Sequence, residues 1–219
     1  IFYAIIAYVI GFVGLFNSSV IINALATLLL GHAMIIAAYL VHECSHNLVF
    51  KKIRFNTYLG RFLSWICGSS YGTYEDIQYK HFRHHVDNDD VVWFDYEAFF
   101  ENNPNVFKLT KILEWFYIPA HEFIMHFIMM FSSFIIPQRK PQRSRNSAVI
   151  IIRFSLFLTL MLLFPKVGVL YIFSYILLIT VLRFMDSLQH DYPYNLTLFT
   201  REKAPRKGQY EWEQEHTFS

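Results

Sequence analysis

Four long apolar runs constrain the fold of this chain more than any other feature. Residues 1–16 and 20–41 carry no charged side chain, and the second run is 22 residues long. About 20 apolar residues are enough for a helix to cross the hydrocarbon core of a bilayer. Residues 148–164 and 169–182 form a second pair of runs, joined by a short turn at residues 165–168. The pattern predicts an all-α integral membrane protein with four transmembrane helices in two hairpins.

The composition is consistent with a single membrane domain over residues 1–219. Hydrophobic residues make up 54% of the chain and charged residues only 16%, as expected if much of the surface faces lipid. The two cysteines, Cys44 and Cys67, have no paired spacing, so we expect neither a disulfide framework nor a thiolate zinc site. The net charge of +2 is close to balance. We therefore expect the basic residues to contact lipid headgroups and not nucleic acid.

Basic residues concentrate between the two hairpins, which predicts the orientation of the chain. By the positive-inside tendency, this central region forms a helical cap on the cytoplasmic face. Its stretches 56–74 and 108–137 are apolar but interrupted by charges, glycine or proline, which predicts amphipathic helices on the membrane surface. We expect Arg153 and Arg183, near the ends of the second pair of runs, to snorkel to one membrane face. The basic residues on which this prediction depends are the early group Lys51, Lys52 and Arg54 and the later stretch Arg139, Lys140, Arg143 and Arg145.

Two compact histidine clusters in this region indicate chemistry. His42 and His46 are one helical turn apart and share a face of a helix. His81, His84 and His85 have the spacing i, i+3 and i+4 and also share a face. Histidine is the commonest metal ligand among side chains, and five imidazoles exceed the set that one tetrahedral zinc ion uses. The clusters therefore predict a site for two metal ions.

Each histidine also has an interpretation without metal. A single histidine is usually hydrogen-bonded or solvated, and we expect this of the four isolated ones, His32, His121, His126 and His216. Five histidines in two groups on one face of the membrane are hard to explain in that way. Asp87 follows the second cluster and is either a solvated surface residue or an acceptor for the outer N–H of a ligating imidazole.

The first cluster has a competing interpretation. The segment His42-Glu43-Cys44-Ser45-His46 satisfies the H-E-x-x-H pattern, in which a helix supplies two zinc ligands and a glutamate base to a metalloprotease. A membrane zinc protease built on His42, Glu43 and His46 is therefore an alternative from another class. Such an enzyme needs one further ligand and has no use for the whole second cluster. The second cluster favours the two-metal interpretation.

The two clusters, H-E-C-S-H and H-F-R-H-H between two membrane hairpins, resemble the histidine boxes of the membrane fatty acid desaturase and hydroxylase superfamily. The resemblance covers the chain from the first hairpin to about His190. It implies four spanning helices under a cytoplasmic cap that holds a histidine-rich di-iron centre. The iron ligands that it implies in the two boxes are His42, His46, His81, His84 and His85.

The resemblance extends to the segment after the fourth apolar run. Asp186 and His190 are one turn apart there, and the resemblance implies His190 as a further iron ligand and Asp186 as a residue that holds a metal-bound water. The third H-x-x-H-H box of the superfamily has no counterpart, because His216 stands alone. We expect the given sequence to be a piece of a longer chain and to end before this box.

The chemistry that the resemblance implies is an oxidation of lipid acyl chains, in which two irons use O2 as co-substrate and two electrons to attack an unactivated C–H bond. A fatty acid desaturase is the first interpretation, and a hydroxylase or ketolase of the same superfamily is the alternative. No haem- or flavin-binding motif is visible, so we expect an external electron donor of the ferredoxin or cytochrome type. The expected location is the bacterial inner membrane or the endoplasmic reticulum, with the active site on the cytoplasmic face.

A metal-binding or transport protein without catalysis is the third class of function. Transport across a membrane usually requires ionisable residues within the spans. The four apolar runs carry almost none away from their ends. The sequence therefore disfavours transport.

Overall fold

A computed structural model describes the backbone of residues 1–87, 90–92, 94–189 and 195–197, and the side chains of residues 1–83 and 94–185. Nine α-helices, one 3-10 segment and two short strands make up this part of the chain. In chain order, they are α1 (Phe2–Gly14), α2 (Val20–Ser45), α3 (Ile53–Ile66), α4 (Tyr74–Asp87), β1 (Asp90–Val92), α5 (Tyr96–Asn102), α6 (Pro104–Trp115), α7 (Ala120–Ile135), the 3-10 segment (Pro137–Gln142), α8 (Arg143–Leu163), α9 (Pro165–Gln189) and β2 (Asn195–Thr197).

Three helical stretches in the described residues are long and apolar enough to cross a membrane: Val20–Ser45, Pro137–Leu163 and Pro165–Met185. Helix α1 is apolar but has 13 residues, a length of about 20 Å against a hydrocarbon core of about 30 Å. The prediction of an apolar, helical membrane fold is confirmed in this coarser form. The fourth span and the cytoplasmic position of the cap remain predictions.

The two strands were not expected in an all-α fold. Strand β1 pairs in parallel with β2 over three residues, with Asp90 opposite Asn195 and Val92 opposite Thr197. Each strand has only three residues, which is too short to give an alternating sequence pattern. The pair connects the segment after α4 to the segment after α9.

Helices α1 and α2 pack closely because small residues line their contact. Ala4, Ala7 and Gly11 are the buried residues of α1. A Cβ atom on Gly11 would lie 2.8 Å from the backbone nitrogen of Leu30. Small residues at such positions let the backbones of two membrane helices approach each other. The first predicted hairpin is therefore present as a tightly packed helix pair.

Helix α2 is the centre of the bundle and also contacts α3 and α9. Leu30 and Met34 of α2 are fully buried, and Leu178 of α9 is almost so. The hydroxyl of Ser174 in α9 donates a hydrogen bond to the carbonyl of Thr27 in α2 at 3.0 Å. Burial of these apolar side chains and this bond hold α9 along α2, on which the first histidine cluster lies.

The predicted turn at residues 165–168 is wrong, because α9 begins at Pro165. Proline is well suited to the first position of a helix, where its missing N–H would have no partner. The N–H of Phe164 still bonds to the carbonyl of Leu160, and the N–H of Gly168 already bonds to the carbonyl of Phe164. Phe164 is therefore the single residue between α8 and α9.

Arg153 and Arg183 contact protein groups. Arg153 of α8 donates from Nε to the Ser70 hydroxyl at 2.8 Å and from an Nη atom to the Trp65 carbonyl at 2.6 Å. The last carbonyls of a helix such as α3 have no partner within their own helix, so the Trp65 carbonyl is available to accept a hydrogen bond from Arg153. The Nε atom of Arg183 lies 3.9 Å from a carboxylate oxygen of Glu114. Both arginines thus connect a long apolar helix to the surrounding short helices.

Candidate metal centre

The C-terminus of α2 carries the first histidine cluster, and its end is fixed by a defined backbone motif. Asn47 adopts a left-handed conformation with φ of 61°. The N–H of Leu48 bonds to the carbonyl of Glu43 at 3.1 Å, and the N–H of Asn47 bonds to that of Cys44 at 3.0 Å. This pair of bonds is the Schellman motif, which ends a helix at a left-handed residue, usually glycine and sometimes asparagine. It places His42 in the last turn of α2 and His46 at the C-cap.

Helix α4 carries the second cluster and is fixed to α2 and α3. The side-chain amide of Gln78 donates a hydrogen bond to the Ser45 carbonyl at 2.9 Å. Tyr74 is buried, and its ring fills the space next to Gly60 that a Cβ atom would occupy. An ion pair between Arg61 and Glu75 adds a surface contact between α3 and α4. These contacts bring His81 to the end of α2.

Three histidines meet where the two helices touch. One ring nitrogen from each of His42, His46 and His81 lies within 4.8 Å of the other two. The Nε2 atoms of His46 and His81 are 2.6 Å apart. The ring centroids of the three imidazoles are 4.3 to 4.9 Å apart. Three imidazole nitrogens thus converge on one point from two helices.

This arrangement fits a transition-metal ion. Two imidazole nitrogens at about 2.0 Å from one tetrahedral metal lie about 3.3 Å apart. The Nε2 atoms of His46 and His81 need to separate by less than 1 Å to reach that distance from their present 2.6 Å. Burial lowers the pKa of His46, and the neighbouring His42 lowers it further. A lowered pKa favours the neutral imidazole, which is the form that binds a metal.

Glu43 contacts an imidazole of the cluster. Its Oε1 atom lies 3.2 Å from Nδ1 of His42, and both side chains are about half exposed. A carboxylate that accepts the N–H of a histidine holds the ring in one tautomer and leaves the other nitrogen available for a metal. Glu43 therefore lies where it can orient His42.

The other predicted site residues are placed only in part. His84, His85 and Asp87 belong to α4, and Asp186 belongs to α9, but their side chains lie outside the described part of the structure. His190 lies outside the described residues altogether. Within the described residues, the structure thus brings together three of the six predicted ligands, His42, His46 and His81.

Three of the four isolated histidines form hydrogen bonds in the structure. Nδ1 of His32 is 2.7 Å from the hydroxyl of Tyr3. His126 contacts the carbonyl of Glu122 through Nδ1 at 2.8 Å, and Nδ1 of His121 is 3.4 Å from the carboxylate of the same residue. These three histidines are hydrogen-bonded side chains. His216 lies outside the described residues.

Comparison with known protein families identifies the class of protein. The sequence model described as "Fatty acid desaturase" matches residues 19–219. The chain belongs to the fatty acid desaturase family. The resemblance that the two histidine boxes gave is therefore confirmed. No curated protein and no solved structure matches the chain.

Family membership supports the broad function of the chain. The chain is a lipid-modifying, desaturase-like oxidoreductase that is associated with a membrane and acts on a lipid substrate. The three long apolar helices agree with a membrane location. The desaturase family is known for di-iron centres, and the converging histidines of this chain are a cluster that could hold metal.

Gln78 and Asn47 are two residues of the site that the sequence patterns did not single out. Gln78 lies one helical turn before His81, so the i, i+3 spacing places both on one face of α4. That spacing was a usable signal. Asn47 directly follows His46 and belongs to a residue type that tolerates the left-handed conformation, so it could have been recognised as the end of α2.

Proposed function

We propose that this member of the fatty acid desaturase family is an O2-dependent di-iron enzyme that introduces a C=C bond into lipid acyl chains. The observation that supports the proposal is the convergence of His42, His46 and His81 within 4.8 Å at the junction of α2 and α4. We assign the rest of the ligand set from the sequence. It comprises His84, His85 and His190, with Asp186 and Asp87 in supporting positions near the metal ions.

The proposed di-iron centre supplies the oxidation of an unactivated C–H bond with O2 and two electrons. The chain itself holds and orients this centre. His42 and His46 present two nitrogens from one rigid helix, and His81 presents a third from α4. Glu43 accepts a hydrogen bond from the Nδ1–H of His42 and fixes the ring for binding through its other nitrogen. The Gln78 bond to Ser45 keeps the two helices in register.

The proposed substrate and partners follow from the position of the cluster. The cluster lies at the end of α2, which is long and apolar enough to span a membrane, so an acyl chain in the bilayer is close to it. Electrons come from a separate ferredoxin or cytochrome. We place the active site on the cytoplasmic face of the bacterial inner membrane or the endoplasmic reticulum, because basic residues cluster in the central region.

The metal content provides the first test. Protein purified without oxygen and loaded with ferrous iron should hold about two irons per chain, because the histidine set is larger than one zinc ion uses. His81→Ala should lose iron and activity together. The matched control is His32→Ala, because His32 lies on the same helix as His42 but, within the described residues, is hydrogen-bonded to Tyr3 and lies outside the histidine cluster. Protein that binds a single zinc and no iron would contradict the proposal.

Product analysis separates the proposed desaturase from its alternatives. The reconstituted protein receives an electron donor, O2 and acyl substrates, and the products are identified by mass spectrometry. A product two hydrogens lighter supports desaturation. A product one oxygen heavier indicates a hydroxylase, and a new carbonyl indicates a ketolase.

The orientation is tested separately with a cysteine at the exposed position Lys51, which lies in the loop after the first histidine cluster. A membrane-impermeant thiol reagent applied to intact cells should not label Lys51→Cys, whereas it should label the residue after the membrane is opened. Cys44 and Cys67 are buried, so we expect the reagent to label them little, and the unsubstituted protein measures this background. Labelling in intact cells would reverse the proposed orientation.

A further inference from the structure

The turn between α6 and α7 exposes four consecutive apolar residues, Trp115, Phe116, Tyr117 and Ile118. Trp115 is 81% exposed and Tyr117 is 84% exposed. We call residues 115–118 the aromatic tip. Exposed apolar side chains of this size, contiguous in sequence, mark a surface that something else covers.

The backbone of the aromatic tip is tightly specified. The N–H of Ile118 bonds to the carbonyl of Leu113 at 3.0 Å, and the N–H of Tyr117 bonds to that of Glu114 at 2.9 Å. The bonds form a second Schellman motif, with Tyr117 as its left-handed residue at φ of 59°. Glycine is the usual residue at that position, because a bulky side chain is unfavourable there. A tyrosine in its place points to a role for the exposed ring.

Glu114 at the end of α6 connects the turn to α7 and α9. A carboxylate oxygen of Glu114 accepts a hydrogen bond from the backbone N–H of His121 at 3.1 Å, at the start of α7. The same oxygen lies 3.9 Å from Nε of Arg183. These polar contacts hold the turn in place, and Glu114 and Arg183 line the same cleft as Tyr117 and Ile118.

The position of the aromatic tip identifies what covers it. Tyr117, Ile118 and Pro119 line a cleft of about 300 Å³ together with Val181, Arg183 and Phe184 of α9. Val181 and Phe184 belong to a candidate membrane span, and the charged residues Arg183 and Asp186 mark the polar end of its apolar sequence. The tip therefore lies beside the end of a candidate span, at the depth where hydrocarbon gives way to headgroups. Phe184 is itself exposed on this side, so the apolar surface of the tip continues that of α9.

The residue types agree with this depth. Tryptophan and tyrosine are enriched at both interfaces of a membrane, where an apolar ring with a polar end is best accommodated. Lys108 and Lys111 lie on the same helix and line a surface groove with Phe107, Trp115 and Phe116. Their ammonium groups complement the anionic headgroups of a bilayer. An amphipathic helix with basic and aromatic side chains typically binds in this layer.

We propose that the aromatic tip inserts into the interfacial layer of the lipid bilayer beside the end of α9 and anchors the α6–α7 pair there. The partner of this surface is the lipid itself. The proposal is independent of the metal centre and of the reaction, since it uses no residue of the histidine cluster. It assigns a membrane contact to a connection between two short helices.

Spin labels on the full chain in phospholipid nanodiscs test the proposal. Labels at Trp115→Cys and Tyr117→Cys should collide readily with O2, which partitions into lipid, and poorly with a water-soluble nickel complex. The control is Glu97→Cys, an exposed polar position on α5, which should show the opposite preference. Cys44 and Cys67 are buried, so the unsubstituted protein gives the background signal.

Two results would overturn the proposal. Ready access of the nickel complex to both tip positions would place the aromatic tip in water. Protection of both positions from O2 and nickel alike would show that a second copy or another protein covers the tip.

Tyr117→Gly gives an additional measurement, because glycine relieves the unfavourable backbone conformation and removes the ring. It should retain or raise the thermal stability of the protein in detergent. A spin label at Trp115→Cys in the same chain should then show a smaller excess of O2 over nickel collisions. An unchanged excess would show that the ring of Tyr117 takes no part in the anchor.

Discussion

The side-chain amide of Gln78 donates a hydrogen bond to the backbone carbonyl of Ser45 at 2.9 Å, across 33 positions of sequence. This bond joins α4 to the last turn of α2, directly beside the histidine cluster. Ser45 is buried, so its carbonyl has few alternative partners. The relationship makes Gln78 a positioning residue for a site that it does not itself enter.

We expect Gln78→Ala to weaken metal binding by roughly fivefold, because a lost hydrogen bond of this kind corresponds to about 1 kcal/mol. Titration of the apoprotein with ferrous or cobaltous ion gives the affinity. Gln138→Ala is the matched control, since Gln138 is exposed in the 3-10 segment far along the chain. Equal affinities for Gln78→Ala and the control would remove the positioning role.

Glu43→Gln distinguishes an orienting carboxylate from a protease base. In the proposed oxidoreductase, the substitution weakens the contact with Nδ1 of His42, and we expect metal affinity to fall by about tenfold. Activity should return when iron is supplied in excess. A metalloprotease would instead retain its metal and lose its activity, because the glutamate would be the catalytic base. Full metal occupancy with no lipid oxidation in Glu43→Gln would therefore count against our assignment.

Gly11→Leu should separate α1 from α2. Even a Cβ atom at this position would lie 2.8 Å from the backbone of Leu30, so the helices must move apart. Overpacking of this kind destabilises a protein by about 1–3 kcal/mol. Thermal unfolding in detergent measures the loss. The control is Ile10→Ala, because Ile10 is exposed on the outer face of the same helix, and its replacement should change stability by about 0.5 kcal/mol or less.

Arg153→Met tests the connection between α8 and the end of α3. Arg153 donates to the Trp65 carbonyl and the Ser70 hydroxyl, and its guanidinium lies over the rings of Trp65 and Tyr71. Because hydrogen bonds from a charged donor contribute about 1.5–3 kcal/mol, we expect a loss of stability of about 2 kcal/mol.

Limited proteolysis of residues 67–73 in Arg153→Met would locate the change. Arg54→Met is the control, since Arg54 is exposed and its guanidinium lies over the ring of the adjacent Phe55. Arg153→Lys should not restore full stability, because an ammonium group cannot reproduce the planar set of donors. Stability equal to that of the control would show that the arginine contributes little.

The helical framework and the first half of the site were predictable from local patterns. The run at residues 20–41 identified α2, and the spacing of His42 and His46 correctly placed both at its end. Helix periodicity also placed His81 on α4. These features depend on neighbours within one or two turns, which a single sequence shows directly.

Other features depend on contacts that no local pattern records. The sequence predicted that Arg153 lies near a membrane face, but not its hydrogen bonds to carbonyls more than 80 positions earlier in the chain. The left-handed Tyr117 could not be predicted, because its residue type is unusual there. Pro165 was read as part of a turn because proline is common in turns, although it is equally suited to start a helix. The sequence alone does not decide between the two roles.

The length of helix α2 can be compared with the thickness of a bilayer. Its 26 residues have a length of about 39 Å, roughly 9 Å more than the hydrocarbon core of a bilayer. That excess corresponds to about six residues. The last six residues of α2 include His42 and end directly before His46. Insertion of one residue upstream would advance the cluster by about 1.5 Å and rotate it by about 100°. For a helix that crosses a bilayer, length and phase thus set both how far the cluster stands from the hydrocarbon core and the direction in which it faces.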